Sequence, residues 1–132
     1  MEYIINLGIF TKRKIMYSKE LLKGTLKPII LKLLSERGKM YGYEIVQAVK
    51  ILSDEKITIK EGSLYPLLHS LNSDGILKTE PVMVGKRVRK YYTLTKKGKT
   101  VTADSISELN DFLGTIGKII TNKPNPNHAF KY

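Results

Sequence analysis

The stretch KEGSLYPLLHSLNSDGIL, residues 60–77, decides the fold of this chain of 132 residues. Four of its leucines fall on one face of a helical wheel, within about 60° of one direction: Leu64, Leu67, Leu68 and Leu71. This spacing predicts an amphipathic helix over residues 61–74. Gly75 is placed to end the helix in a left-handed conformation, and Ile76 can make the hydrophobic contact that accompanies such an end.

Pro66 interrupts this pattern, because a proline inside a helix removes one hydrogen bond. If Ser63 is the N-cap, Pro66 lies in the first turn, where its missing N–H group has no helical partner in any case. If the helix begins near Lys60, the hydrogen bond to the carbonyl group of Gly62 is lost and a local bend results. In both placements the proline lies at the leading end of the helix and away from the leucines.

The opposite face of this helix carries short polar side chains that can reach base edges or phosphate groups. Pro66, His69 and Ser70 lie there, and Tyr65 lies at the boundary between the two faces. An exposed serine or histidine is more often simply solvated, and Tyr65 could equally be a packing residue with its hydroxyl group in water. The face becomes a candidate for DNA binding only in combination with a basic hairpin on its C-terminal side.

The segments before this helix predict two further helices and a short strand. Apolar residues recur with helical spacing over residues 20–37, and Pro28 either kinks this helix or places its start near Thr25, which could cap it. Residues 42–52 predict a second, shorter helix. The β-branched, alternating residues 57–59 predict a small strand.

The segments after it predict a hairpin and a long last helix. Residues 76–84 and 88–94 are β-prone, and residues 85–87, two of them basic, form the tip between them. Thr95 can cap a helix over residues 96–121. Three helices and then a hairpin are the layout of a winged helix-turn-helix, in which the third helix enters the major groove and the hairpin, or wing, contacts the adjacent backbone. The predicted fold class is mainly α with a small β-hairpin wing and a long C-terminal helix.

Basic residues dominate the charge balance. The chain has 23 lysines and arginines against 12 acidic residues, for a formal charge of +11. No acidic residue occurs between Glu80 and Asp104, an interval that holds seven basic residues. This balance favours a polyanionic partner, either nucleic acid or an anionic membrane surface. The plainer alternative is a soluble protein with a lysine-rich surface.

Several function classes are disfavoured by composition. The chain has no cysteine, which excludes a disulfide framework, a thiolate zinc site and a cysteine nucleophile. We find no acid–base pair, metal cluster or glycine-rich phosphate loop, and therefore predict no enzymatic activity, no cofactor and no metal site. No apolar run approaches the ~20 residues of a membrane span. Apolar residues precede the basic ones at the N-terminus, the reverse of a secretory signal, which indicates a cytoplasmic protein.

The last helix carries an apolar stripe with the spacing of a coiled-coil seam, in which residues at a and d positions alternate three and four apart. Two residues at g positions widen the stripe. The seven residues are Ile106, Leu109, Phe112, Leu113, Ile116, Ile119 and Ile120. Packing on the domain's own core is the alternative, but the breadth of the stripe favours dimerisation. Gly114 and Gly117 each weaken the helix by up to ~1 kcal/mol, or they permit another helix to approach closely.

Four motifs in this order resemble those of the PadR-type transcriptional regulators. They are LLKGTL at residues 21–26, GYEI at 42–45, EGSLYPLLHSL at 61–71 and RKYYTLTKKG at 89–98. The match covers residues 20 to about 100, roughly three-fifths of the chain. The resemblance implies a dimeric DNA-binding repressor and favours the helix start near Lys60.

The resemblance also suggests which residues contact DNA. It places four in the recognition-helix segment, two at the wing tip, and Tyr43 near the DNA backbone. With the polar and basic neighbours of these segments, the candidates are Tyr43, Lys60, Ser63, Tyr65, Pro66, His69, Ser70, Lys86, Arg87 and Arg89. The chain departs from the family pattern at Lys60, where many members have a capping serine, and in lacking a basic residue shortly after His69. The second departure leaves the base preference open.

The predicted partners are double-stranded DNA with an inverted-repeat operator, a second copy of the chain, and a small-molecule effector at the dimer interface. Some PadR-like proteins bind flat aromatic compounds there through a tryptophan on the last helix, but this chain has no tryptophan. Phe112 and tyrosines could form a lesser pocket. The alternative is a basic dimeric interaction protein or RNA-binding protein without operator specificity. Tyr91 and Tyr92, on opposite faces of a strand, make no platform for stacking single-stranded bases.

The predicted organisation has four parts. Residues 1–17 are an N-terminal arm or extension, and residues 1–15 are either an upstream start-codon artefact or a flexible arm whose basic residues touch phosphate groups. Residues 18–95 form the DNA-binding domain and residues 96–121 the dimerisation helix. Residues 122–132 are a flexible tail.

Overall fold

The computed structural model describes residues 16–121 in full and the backbone of residues 2–6 and 9–13. The described residues form five helices and five strands. In chain order these are β1 (Glu2–Asn6), β2 (Ile9–Arg13), α1 (Lys19–Leu22), α2 (Leu26–Arg37), β3 (Met40–Tyr41), α3 (Gly42–Leu52), α4 (Glu61–Ser73), β4 (Leu77–Val84), β5 (Arg87–Leu94) and α5 (Lys96–Thr121). None of the described helices is long and apolar enough to span a membrane. The predicted tail, residues 122–132, lies outside the described residues.

The predicted fold class is confirmed: the core helices α2, α3 and α4, an antiparallel hairpin and a long last helix succeed one another. The strands form two sheets, one of β1 with β2 and one in the order β3-β5-β4. The first sheet lies within the predicted arm, where Ile4 pairs with Thr11. The second sheet contains the hairpin, and its third strand joins the hairpin to the start of α3.

The break between α1 and α2 is explained by Gly24 and Pro28. Gly24 has a φ of 88°, a conformation that glycine adopts without steric cost. Pro28 is the third residue of α2, where a missing N–H group costs no helical hydrogen bond. Thr25 precedes the helix as predicted, but the expected capping bond from its side chain is absent. The Thr25 hydroxyl group instead donates to the carbonyl oxygen of Leu22 at 2.7 Å, because its backbone is itself helical and its side chain turns back.

The core is assembled from one face of each of α2, α3 and α4 and from the inner side of the sheet. Its fully buried members come from every one of these elements: Ile30, Leu31, Leu34, Met40, Ile45, Leu64, Leu68 and Leu77. In α4 the predicted face is confirmed, since Leu64, Leu68 and Leu71 are buried and Leu67 is half-buried. At ~25 cal/mol per Å² of apolar surface, each such leucine contributes about 1.5–3 kcal/mol to stability.

The ends of α4 explain how the helix contains Pro66. Lys60 is the N-cap and provides no side-chain hydrogen bond, so the earlier of the two predicted starts is correct. Pro66 is exposed, as is Gly62, so the carbonyl group that loses its helical partner can be hydrated. At the other end the N–H groups of Gly75 and Ile76 donate back to the carbonyl groups of Asn72 and Leu71, at 3.1 and 2.9 Å. These two bonds form a Schellman motif, which confirms the predicted glycine end.

The predicted strand over residues 57–59 is wrong. This segment has no regular structure, and Ile59 is buried in the core as the chain enters α4. The edge of β5 is taken instead by β3, with Met40 paired to Tyr92 and Tyr41 to Tyr91. The segment that lies beside β5 is the one that pairs with it. The short loop after α2 brings Met40 to this position.

The hairpin is close to the prediction but has a shorter tip. Arg87 pairs with Val84 as the first residue of β5, so the turn consists of Gly85 and Lys86 alone. Gly85 has a φ of 61°, whereas Lys86 does not have a positive φ. A two-residue turn with glycine in its first position is the type II′ turn, whose twist matches that of the strands.

Candidate nucleic-acid interface

The outward face of α4 contains most of the predicted DNA-binding residues. Lys60, Pro66, His69 and Ser70 are exposed, and Ser63 is half-buried at the start of the helix. They lie on the side opposite the buried leucines, as the helical spacing predicts. The leucines hold the helix against the core while its ammonium, imidazole and hydroxyl groups face solvent. A helix presented in this way has the polarity and the width needed to enter a major groove.

Tyr65 has a second role that the sequence left as an alternative. Its ring packs on Gly42, the first residue of α3: a Cβ atom at Gly42 would lie 2.6 Å from the phenolic oxygen and 3.0 Å from the ring carbon that bears it. A side chain at position 42 would therefore displace the Tyr65 ring. The ring is still 46% exposed. Tyr65 thus sets the separation of α3 and α4 with one side and faces solvent with the other.

The wing carries its positive charge at the turn and along β5, the central strand of its sheet. Lys86 and Arg87 are exposed at the end of the hairpin, together with the apolar Met83 and Val88. The two ion pairs between described side chains, Lys32–Glu36 and Lys39–Glu80, involve neither of these basic residues. Their charges are therefore available to phosphate groups, and no ion pair has to be broken first.

Arg89 is placed differently from the other basic candidates. Its guanidinium group lies over the ring of Tyr41, 4.0 Å from the centroid, and the residue is half-buried. A hydrogen bond with the Tyr91 side chain is the main cause that raises the pKa of Arg89. The group is charged at any physiological pH in either case. Its cation–π contact joins the middle of the wing to β3, so Arg89 holds the wing against β3 in addition to any contact with DNA.

Three tyrosines continue this contact toward the start of α3. The Tyr41 ring meets the Tyr91 ring edge-on at 5.4 Å and stacks with the Tyr43 ring at 6.5 Å. Lys39 lies over the outer side of Tyr91, 5.1 Å from its centroid. Tyr43 is 62% exposed, the most exposed tyrosine of the described chain. The predicted site residues Tyr43, Tyr65 and Arg89 are thus brought together around the first turn of α3.

Lys39, Tyr41 and Tyr91 also belong to this cluster, although the sequence patterns did not indicate them. Their rings and charges come from residues 39–41 and from β5, and the paired tyrosines are 50 residues apart along the chain. The alternation Tyr41-Gly42-Tyr43 and the doublet Tyr91-Tyr92 were the available signals. Tyr92 points the other way and is buried, which raises its pKa, with a smaller contribution from Tyr65.

α5 is divided into a packed and an unpacked part. Ile106, Leu109 and Ile116 are half-buried. The other four members of the predicted stripe are between 55% and 75% exposed: Phe112, Leu113, Ile119 and Ile120. The first half of the helix packs on α2, so the alternative of intramolecular packing holds there. Beyond it, an apolar surface lies without a partner in the described chain, more than isolated exposed residues would explain.

A groove of about 710 Å³ runs between the α1–α2 connection and α5. Its walls combine lysines on one side with acidic and apolar residues on the other. They include Lys23, Lys27, Pro28, Glu108, Leu109, Asp111 and Phe112. A groove of this volume is within the range that holds small organic ligands. No group of three or more potential metal ligands occurs in the described residues, and His128 lies outside them.

Three core helices with an exposed polar face on the third, joined to a basic antiparallel wing, define a winged helix-turn-helix protein of the DNA-binding class. Comparison with known proteins gives the same result. The sequence matches the Transcriptional regulator PadR-like family over residues 30–104. The chain therefore belongs to the PadR-like family of transcriptional regulators, and it is a regulator and not an enzyme.

Solved structures of bacterial proteins resemble the chain over most of its length. A transcriptional regulator from Clostridium thermocellum is 31% identical, with a TM-score of 0.72 over 78% of this chain and 100% of that one. A PadR family transcriptional regulator from Eggerthella lenta is 34% identical, with a TM-score of 0.67 over 79% and 88%. Bacillus subtilis PadR in complex with operator DNA is 28% identical, with a TM-score of 0.55 over 82% and 52%. The chain thus spans about half the length of the operator-bound relative.

Proposed function

We propose that the protein is a cytoplasmic homodimeric repressor that binds an inverted-repeat operator through α4 and the wing. The observation that carries this proposal is the pairing of an exposed polar helix face with unpaired basic residues at the end of the adjacent hairpin. The operator complex of Bacillus subtilis PadR, a similar fold, supports DNA as the ligand.

In this proposal the contacts divide into two kinds. Lys60, Lys86 and Arg87 contact phosphate groups and supply affinity that is independent of sequence. Ser63, His69 and Ser70 face the base edges, with Pro66 stiffening the leading turn. Tyr43 and the free side of Tyr65 line the space between α3 and the DNA backbone. Neutral groups on α4 make hydrogen bonds, and the positive charge lies mostly on the wing.

The second copy in this proposal covers the exposed part of the α5 stripe. Two α5 helices that pair along Leu113, Ile116 and Ile120 place one α4 on each side of a twofold axis. Recognition helices of such dimers lie on successive turns of the same DNA face, about 34–36 Å apart. The operator is then an inverted repeat, and the groove beside α5 lies next to the dimer interface. An aromatic effector held there by Phe112 releases repression by changing the pose of the two halves.

The direct test is binding of the purified protein to the DNA upstream of its own gene. We expect a shifted complex of one dimer on a fragment of this region, with competition by the same fragment and not by an equal mass of unrelated DNA. Competition with structured or single-stranded RNA tests the alternative that the protein binds RNA. Preference for RNA, or equal binding to all DNA, would contradict operator recognition.

A wing variant makes this test specific. The double substitution K86A/R87A removes two cations that are in neither described ion pair. If both contact phosphates, the slope of log K against log salt falls by about 2 and affinity drops for all DNA sequences alike. The control is K19A/K118A, which removes the same charge from α1 and α5 at exposed residues that are also in neither described ion pair. An unchanged slope in K86A/R87A would remove the wing from the binding surface.

A further inference from the structure

The end of α4 and the start of α5 are joined directly, although β4 and β5 separate them in the chain. We call this contact the α4–α5 joint. It consists of Asp74, Gly75, Ile76, Thr95, Lys97 and Gly98. Pairing of Leu77 with Leu94 at the base of the hairpin brings these two helix ends together.

Most hydrogen bonds at the joint end on the carbonyl groups of the three residues that follow α4, Asp74, Gly75 and Ile76. The Thr95 N–H group donates to the Ile76 carbonyl oxygen at 3.0 Å. The Thr95 hydroxyl group lies within hydrogen-bond distance of the carbonyl oxygens of Gly75 and Ile76, and accepts from the Gly98 N–H group at 3.0 Å. The Lys97 ammonium group donates to the Asp74 carbonyl oxygen at 2.8 Å. One side chain, Thr95, thus caps α5 and holds the end of α4.

The contact at Gly98 leaves no room for a side chain. A Cβ atom at this position would lie 2.1 Å from the Ile76 carbonyl oxygen, which is backbone and cannot turn aside. Gly98 is buried within the first turn of α5 and does not have a positive φ. Glycine is needed here for the close approach of the two elements, and not for an unusual backbone conformation.

We propose that Thr95 and Gly98 are positioning residues that set the spacing between the two DNA half-sites. They fix the direction in which α5 leaves the body that holds α4. Because α5 pairs with its copy, this direction fixes how far apart the two α4 helices lie. The inference rests on the proposed function, since it needs an α5 dimer and an inverted-repeat operator.

Because α5 is long, a small tilt at the joint becomes a large displacement of one DNA-binding half relative to the other. An added methyl group at Gly98 requires a displacement of about 1 Å, which over one helical turn of ~5.4 Å corresponds to a tilt of about 10°. Leu113 lies 15 residues further on, ~22 Å along the axis, where this tilt is a shift of about 4 Å. A base pair rises by about 3.4 Å. The expected shift is therefore about one base pair of spacing.

A purely structural role predicts a different result. If the joint only stabilises the fold, weakening it lowers stability and reduces affinity for every DNA by the same factor. If it sets the spacing, the affinity for one isolated half-site stays the same while the preferred spacing changes. The ranking of operators by spacing is therefore the measurement that separates the two roles.

The experiment uses the full chain and begins with the wild-type protein. A double-stranded library of random sequence is selected for binding to obtain the operator. Affinities are then measured for this operator with its half-sites moved together or apart by one and two base pairs, and for a single half-site. The variants are Thr95→Val, which removes the hydroxyl bonds, and Gly98→Ala, with Thr95→Ser as the conservative variant. Thr100→Val is the matched control, because Thr100 is exposed on the same helix.

We expect Thr95→Val and Gly98→Ala to remain dimeric and to bind a half-site within about threefold of wild type. Their preferred spacing shifts by one base pair or more, and affinity for the original operator falls at least tenfold. Thr95→Ser and Thr100→Val keep the original spacing. If Gly98→Ala does not fold, Thr95→Val decides. An unshifted optimum, or an equal loss on all DNA, overturns the inference alone. A wild-type protein without spacing preference overturns it together with the proposed function.

Discussion

α4 and α5 have similar apolar patterns and opposite surroundings. Every leucine of the α4 pattern is buried or half-buried by α2, α3 and the sheet. In α5 more than half of the stripe is exposed, up to 75% at Ile120. The difference shows that helical periodicity identifies an apolar face but not what covers it. In α4 the apolar face packs on the chain's own core, so the polar face is the one available to a partner. In α5 the apolar face itself is available to a partner.

Whether a second chain covers the exposed stripe of α5 is tested most directly at Leu113, which is 55% exposed in the single chain. Leu113→Glu leaves the fold intact, since the side chain faces solvent in the monomer. In a paired α5 seam it buries a charge without a partner, which costs about 3–5 kcal/mol and raises the dimer dissociation constant more than about 100-fold. Sedimentation across a range of concentrations measures this change.

Thr121→Glu is the control, because it adds the same charge to the same helix outside the stripe. We expect the control to remain dimeric. A Leu113→Glu protein with wild-type association would show that α5 is not the dimer seam.

The buried side of the comparison is tested at Leu68, which has no exposed surface. Leu68→Ala removes core contacts and leaves a cavity, so the free energy of unfolding falls by about 2–5 kcal/mol. Leu113→Ala is the same substitution on the exposed face and changes the stability of the monomer by less than about 0.5 kcal/mol. Urea denaturation at a concentration where the protein is monomeric measures both. Equal losses would mean that the two faces are covered alike.

A smaller change in stability is expected at the contact between α4 and α3. Gly42→Ala places a methyl group within 2.6 Å of the Tyr65 oxygen, so the ring must move. Overpacking of this kind costs about 1–3 kcal/mol. The same substitution in a Tyr65→Ala background should cost little, and the difference gives the coupling energy of the pair. Additive losses would show that Tyr65 does not bear on Gly42 in solution.

Most of the helices and the hairpin could be predicted because their signals are local. Leucine spacing in α4, Gly75 at its end and Thr95 at the start of α5 each act within a few residues of themselves. The helix start near Lys60 needed the family resemblance, since Pro66 allowed two placements. Thr25 makes no side-chain cap because the turn at Gly24 already sets the backbone at that point.

What could not be predicted depends on pairing between distant segments. The β-branched residues 57–59 have high strand propensity, yet β3 took the edge of β5 because the fold brings it there. The positions of Arg89 over Tyr41 and of Thr95 beside Ile76 arise from the same kind of long-range pairing. Such contacts have no periodicity of their own. The candidate residues were therefore predicted on α4, at the wing tip and at Tyr43 and Arg89, whereas Lys39, Tyr41 and Tyr91 of the aromatic cluster were missed.

The smallest expected change in stability comes from glycine substitutions that distinguish the two faces of α5. Gly114 is exposed, with open space where a Cβ atom would lie, and occupies the b position of the heptad, outside the seam. Gly114→Ala should raise the free energy of unfolding by about 0.5–1 kcal/mol, because alanine loses less backbone entropy in a helix. Thermal denaturation measures this gain, and the dimer dissociation constant should stay within about threefold.

Gly117 is the matched position, since it has equally open space but lies at e, beside the seam. At Gly117 alanine stabilises the helix by the same amount, but its methyl group lies next to the partner helix. Gly117→Ala should therefore weaken the dimer, whereas Gly114→Ala should not. Equal gains in stability with unchanged association at both positions would show that no second helix approaches this side of α5. The stripe would then have to be covered from another direction.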